Sequence, residues 1–80
     1  GHAYDADVLR ETLKRNVRYV GMIGSKRKVK IIIDYMRKCG FDEKKIESVH
    51  APIGLPINAE TPQEIAVSIV AELIQIRREA

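Results

Sequence analysis

The sequence predicts an α/β fold, mostly helical, built in the order helix, strand, helix, short loop or strand, helix. Three observations predict it. Val17 to Ile23 is a run rich in residues that favour extended backbone, apolar on both faces apart from Arg18, as in a buried strand of a parallel sheet. The run closes with Gly21-Met22-Ile23-Gly24, then Ser25 and the cations Lys26-Arg27-Lys28, which reads as strand, tight turn and helix N-terminus. Apolar residues on either side of the prolines recur at helical spacing, once after Ser25 and once after Thr61.

Taken in order, Asp5 or Asp7 is suited to cap a first helix, because a short carboxylate accepts from the free amides of the opening turn. Val8, Leu9 and Leu13 lie close on one face of it, and Asn16 is a suitable stop. In the strand that follows, Val17, Tyr19 and Ile23 face one side and Val20 and Met22 the other. No second strand of comparable strength follows, so something else is expected to pair with its ladder groups. Ser25 caps the next helix, which runs to about Cys39 with Val29, Ile32, Ile33 and Met36 as its buried stripe, widened by Ile31 and Tyr35. Gly40 suits the left-handed position that ends a helix, and Asp42 caps a short turn through Ile46. Ser48 to Ile57 holds two prolines and a glycine, which exclude a helix; its apolar residues predict a loop or very short strand packed on the sheet end. Thr61-Pro62-Gln63-Glu64 is a capping-box start with proline at the first helical position. Ile65, Ala66, Ile69, Val70 and Leu73 then form a stripe, extended around the helix by Val67, Ile74 and Ile76.

Bulk properties narrow the function classes. With 80 residues the chain is one small domain at most, with a modest core that a partner would help to complete. A net charge of +3 suits an anionic ligand but is too small to announce nucleic acid. A single cysteine, Cys39, excludes an internal disulfide framework and a cysteine-built zinc site. No apolar run reaches the length of a membrane span and no signal-peptide pattern is present, so the expected location is the cytoplasm.

The candidate chemistry centres on two stretches. Positive charge in the first turn of a helix opposes the macrodipole, so Lys26, Arg27 and Lys28 are not placed for stability alone. Gly21, Gly24, Ser25, Lys26 and Arg27 therefore read as an anion site of free amides and cations, against the plainer alternative of a solvated basic turn. The glycine pair falls short of the full dinucleotide fingerprint. His50, on the rigid stretch His50-Ala51-Pro52-Ile53-Gly54, is a ligand contact or proton carrier, or else a histidine bonded to backbone. His2, Asp5 and His50 stand at spacings unrelated to any metal site, so no metal is expected. No nucleophile elbow, Cys/His signature or convincing carboxylate pair is present, so no catalytic residue is named.

Four stretches together resemble a known family: Gly1-His2-Ala3-Tyr4-Asp5, Tyr19 to Lys28, His50 to Leu55, and Glu60 to Ile69. In this order they are similar to the C-terminal domain of the XdhC/CoxI family, accessory proteins of xanthine dehydrogenase and related molybdenum hydroxylases. The resemblance spans essentially the whole chain. It implies a Rossmann-like domain, with residues 1–80 corresponding to its second half. Family members carry a separate N-terminal domain as well as earlier strands with a glycine-rich turn. The resemblance also implies binding of molybdenum cofactor (molybdopterin), its protection, and its delivery to the apo-hydroxylase, as a chaperone more than an enzyme. By position it marks Gly24, Ser25, Lys26 and Arg27, then His50, Pro52 and Gly54, then His2 and Asp5, as pocket residues.

The resulting expectation is a maturation module that grips a phosphate-bearing pterin or a nucleotide and serves a hydroxylase such as xanthine dehydrogenase. It is expected to self-associate or to be completed by a missing N-terminal half. The alternatives are a small basic helical module for nucleic acid, and an oligomerisation domain without ligand.

Overall fold

The computed structural model describes residues 2–79, with side chains from Tyr4 onward. Its elements are α1 (His2–Leu13), β1 (Val20–Gly21), α2 (Lys26–Lys38), α3 (Glu43–Glu47), β2 (Val49–His50) and α4 (Pro62–Glu79). Helix α1 begins before either aspartate, so Asp5 lies in its first turn and does not cap it; the helix also stops at Leu13, short of Asn16.

The strand is shorter than its apolar run suggests, and it has a partner. β1 and β2 pair in parallel, Val20 opposite Val49 and Gly21 opposite His50. The ladder continues past both: the Met22 amide donates to the His50 carbonyl at 3.0 Å, and the Ile53 amide to the Met22 carbonyl at 2.9 Å. The second strand is only two residues long, which is why periodicity alone does not reveal it. Because peptide groups alternate along a strand, Gly21 and Ile23 turn theirs to the opposite edge of β1, where no further strand lies among the described residues.

The core lies on one face of this sheet. Leu9 and Leu13 of α1, Ile32 and Met36 of α2, Ile46 of α3 and Met22 are buried together, with Val20 and Val49 packed against them. Strand alternation then sends Tyr19, Gly21 and His50 to the other face, and α4 meets them there.

The predicted caps of α2, α3 and α4 are present. Ser25 Oγ accepts from the Lys28 amide at 3.1 Å, and Asp42 Oδ1 from the Lys45 amide at 2.8 Å. At α4, Thr61 Oγ1 accepts from the Glu64 amide while Glu64 Oε1 accepts from the Thr61 and Glu60 amides, a complete capping box. Gly40 has a φ of +94°, as a helix-ending glycine should. Replacing Ser25 with alanine is expected to remove about 0.5–2 kcal/mol of stability, read as a lower urea midpoint.

The face that α4 buries differs from the predicted stripe. Ser68 and Glu72 are its buried residues, whereas Ile65, Val67, Val70, Leu73 and Ile74 are exposed. On α2 the stripe is as expected for Ile32 and Met36, but Ile31 and Tyr35 face solvent.

Candidate functional site

The two stretches singled out in the sequence meet at the C-terminal end of β1. The chain leaves β1 through Met22 and Ile23, turns at Gly24, and enters α2 at Ser25. The segment after β2 runs alongside, held by the Ile53 amide on the Met22 carbonyl and by the Leu55 amide on the Ser68 carbonyl of α4 at 3.1 Å. Between turn and segment lies a cleft of about 490 Å³, lined by Gly24 and Lys26 on one side and Pro52, Gly54, Asn58 and Ser68 among others on the other. That volume is in the range of small-molecule sites.

A second cleft, of about 540 Å³, adjoins it; Ile23 and Ile53 line both. Asp5, Tyr19, Gly21 and Lys28 line this second one.

The structure sorts the predicted residues. Gly24, Lys26, Pro52 and Gly54 share the first cleft. Gly21 and Asp5 line the second. Asp5 forms an ion pair with Lys28, so that cation is already partly neutralised. Ser25 spends its hydroxyl on the cap of α2, and the exposed Arg27 lines neither cleft. His2 lies in α1, with its side chain outside the described residues.

Two glycines are needed for shape. A Cβ on Gly21 would stand 2.5 Å from Ile53 Cδ1 and 2.8 Å from Tyr19 Oη. Gly54 has a φ of +99°, and a Cβ there would collide with Ser68 Oγ. The Ala51–Pro52 peptide between His50 and Gly54 is cis.

His50 is not solitary. Its ring stacks on Tyr19, with centroids 4.8 Å apart and planes 13° from parallel. The Tyr19 hydroxyl donates to Glu72 Oε1 at 2.6 Å, and the same oxygen accepts from the Gly54 amide at 3.2 Å. His50 Nδ1 stands 3.9 Å from that oxygen. Burial first, then the hydrogen bond and charge of Glu72, push the Tyr19 phenol well above its ordinary range, so it stays a neutral donor. Sequence reasoning did not find Glu72 or the role of Tyr19. The signal for Glu72 is a single acid within Ile69-Val70-Ala71-Glu72-Leu73-Ile74, four residues after Ser68 and so on the same face.

Among the described residues, no group of three or more His, Cys, Asp or Glu could hold a metal ion. No helix among them is long and apolar enough to cross a membrane.

Comparison with known proteins places this geometry in a family. The family model described as the XdhC Rossmann domain matches residues 1–73. The chain is 38% identical over 76 residues to "Uncharacterized protein YqeB" of Escherichia coli (strain K12), covering 95% of this chain and 14% of that protein. It is 32% identical over 77 residues to a probable xanthine dehydrogenase subunit of Bacillus subtilis (strain 168), covering 96% of this chain and 21% of that protein. The chain therefore spans about a seventh to a fifth of the length of these relatives. A crystal structure described as a xanthine dehydrogenase from Bacillus halodurans superposes with a TM-score of 0.77 at 34% identity, covering 99% of this chain and 21% of that one. The parallel β1–β2 pair, the turn into α2 and the flanking helices are thus part of a Rossmann-like unit, and the chain belongs to the XdhC Rossmann-domain family.

Proposed function

We propose that this chain is an accessory module for the maturation of a xanthine dehydrogenase-type molybdenum hydroxylase, and that it binds a phosphate-bearing cofactor, molybdopterin or a nucleotide. The observation that carries the reading is the shared cleft: the turn at Gly24 and Lys26 and the segment at Pro52 and Gly54 line one concavity although they are far apart in sequence. The place is also chemically apt. It lies beyond the C-terminal end of parallel strands, where open α/β sheets bind ligands. The α2 N-terminus offers free amides, and no acid in its first turn competes for them. Lys26 adds charge at the rim, and the Asp5–Lys28 pair stands beside it.

In this reading Lys26 holds the phosphate, the amides after Gly24 hydrogen-bond it, and the Pro52–Gly54 segment shapes the wall against the rest of the ligand. The names of the relatives support a partner of the xanthine dehydrogenase class. Ile23 on the turn, and Val67, Val70 and Ile74 on α4, are exposed apolar side chains, and they support an assembly in which another polypeptide covers them.

The test is an amide-resolved NMR titration with molybdopterin and, separately, with AMP. Shifts at Gly24, Ser25, Lys26 and Gly54 are expected, and Lys26→Glu should abolish them. Neither ligand perturbing those amides would overturn the reading.

A further inference from the structure

A carboxylate held inside a small domain is costly, and Glu72 has a side chain only 10% exposed. Fold stability alone does not call for it. An apolar pair in place of Tyr19 and Glu72 would pack the same face without two desolvated polar groups. The neighbours Ala71 and Leu73 show that the helix is built from such residues. What Glu72 does instead is accept at one oxygen from two separate parts of the chain, the Tyr19 hydroxyl and the Gly54 amide, with His50 Nδ1 3.9 Å away.

We propose that Glu72 is the positioning residue of the cleft. Its carboxylate ties α4 to Gly54, and so sets the wall formed by residues 52 to 55. Through Tyr19 it also fixes the plane of the His50 ring. At 3.9 Å the carboxylate does not hydrogen-bond Nδ1, so its hold on the ring runs through the stacked Tyr19. The titratable side chains that reach His50 among the described residues are Tyr19, from the chain before β1, and Glu72, from α4. This assignment rests on the cofactor-binding reading for its purpose, but not for its geometry.

Glu72→Gln separates positioning from packing, because glutamine has the same size and still accepts from Tyr19 and Gly54 but carries no charge. Three signals are read on the 80-residue chain: the Gly54 amide proton, the His50 ring nitrogens by NMR, and the affinity for inorganic pyrophosphate. The Gly54 proton should move upfield as its acceptor loses charge, and the His50 ring signals should shift as the stacked Tyr19 is held by a weaker bond. Pyrophosphate binding should weaken measurably, because a neutral amide holds Gly54 less firmly than a carboxylate does and the 52–55 wall is less fixed. The amides of α1 and α3 should stay where they are. If the His50 and Gly54 signals are unchanged in Glu72→Gln, the assignment is overturned, whatever happens to binding. If the wild-type chain binds no pyrophosphate while those signals move as expected, the cofactor reading loses its support and the Glu72 assignment stands. Should Glu72→Gln fail to fold, Tyr19→Phe serves in its place. That variant keeps the stacked ring and removes only the hydroxyl, and unchanged Gly54 and His50 signals in it would equally overturn the assignment.

Discussion

Replacing Met36 with alanine is expected to remove about 2–5 kcal/mol of folding stability. Met36 is fully buried at 0% exposure, and it sits where α1, α2 and α3 meet, with Leu9, Leu13, Ile32 and Ile46 around it. The cost combines the lost transfer energy of the thioether chain with the cavity it leaves, since close-packed neighbours relax only in part. A domain of this kind has about 5–15 kcal/mol to lose in all, so one substitution removes a large share. Urea unfolding followed by circular dichroism should show a lower midpoint at unchanged slope. The exposed Ile31→Ala on the same helix should change stability by only about 0.5 kcal/mol. A Met36→Ala midpoint no lower than that of Ile31→Ala would show that Met36 does not sit at the centre of the core.

The second large effect is expected at Gly54. Its φ of +99° is strained for any residue with a Cβ, and that atom would overlap Ser68 Oγ and lie 3.2 Å from Ser68 Cβ. Gly54→Ala should therefore cost about 1–3 kcal/mol from overpacking alone. Relief requires the loop to lift from α4, which would break the Gly54–Glu72 and Leu55–Ser68 hydrogen bonds and so reshape the cleft. The check is a double substitution. Ser68→Ala removes the overlapping hydroxyl and should return part of the lost stability when combined with Gly54→Ala. Simple additivity of the two would show that the sites do not touch. Gly40→Ala is a useful comparison: its φ is also positive, at +94°, but nothing stands within 4 Å of its Cβ, so it carries the backbone cost without the overlap.

Much of the fold was legible because its signals are local. Ser25, Asp42 and Thr61 cap helices through atoms three residues away, and Gly40 ends a helix by its own backbone freedom. The Ile32 and Met36 stripe follows from the helical repeat alone. The cleft was half legible: Gly24, Lys26, Pro52 and Gly54 were named from the sequence, whereas Ser68, which also lines it, and Glu72, which bonds Gly54, were not. Helix α4 is apolar around most of its circumference, so periodicity cannot say which side faces inward, and the polar pair on its true buried face resembles a solvent face.

By itself, then, the sequence determined the helices, the caps of α2, α3 and α4, the apolar run of β1 and the membership of two loops in one family pattern. Those features depend on contacts between residues a few positions apart, where chain geometry leaves little choice. The tertiary structure decided three other things: that a two-residue β2 is the partner of β1, which way α4 turns, and that Tyr19 and Glu72, 53 positions apart, share a hydrogen bond beneath the His50 loop. Each depends on how separate elements pack, and the energy that selects that packing is stored in surfaces that meet only once the chain has folded.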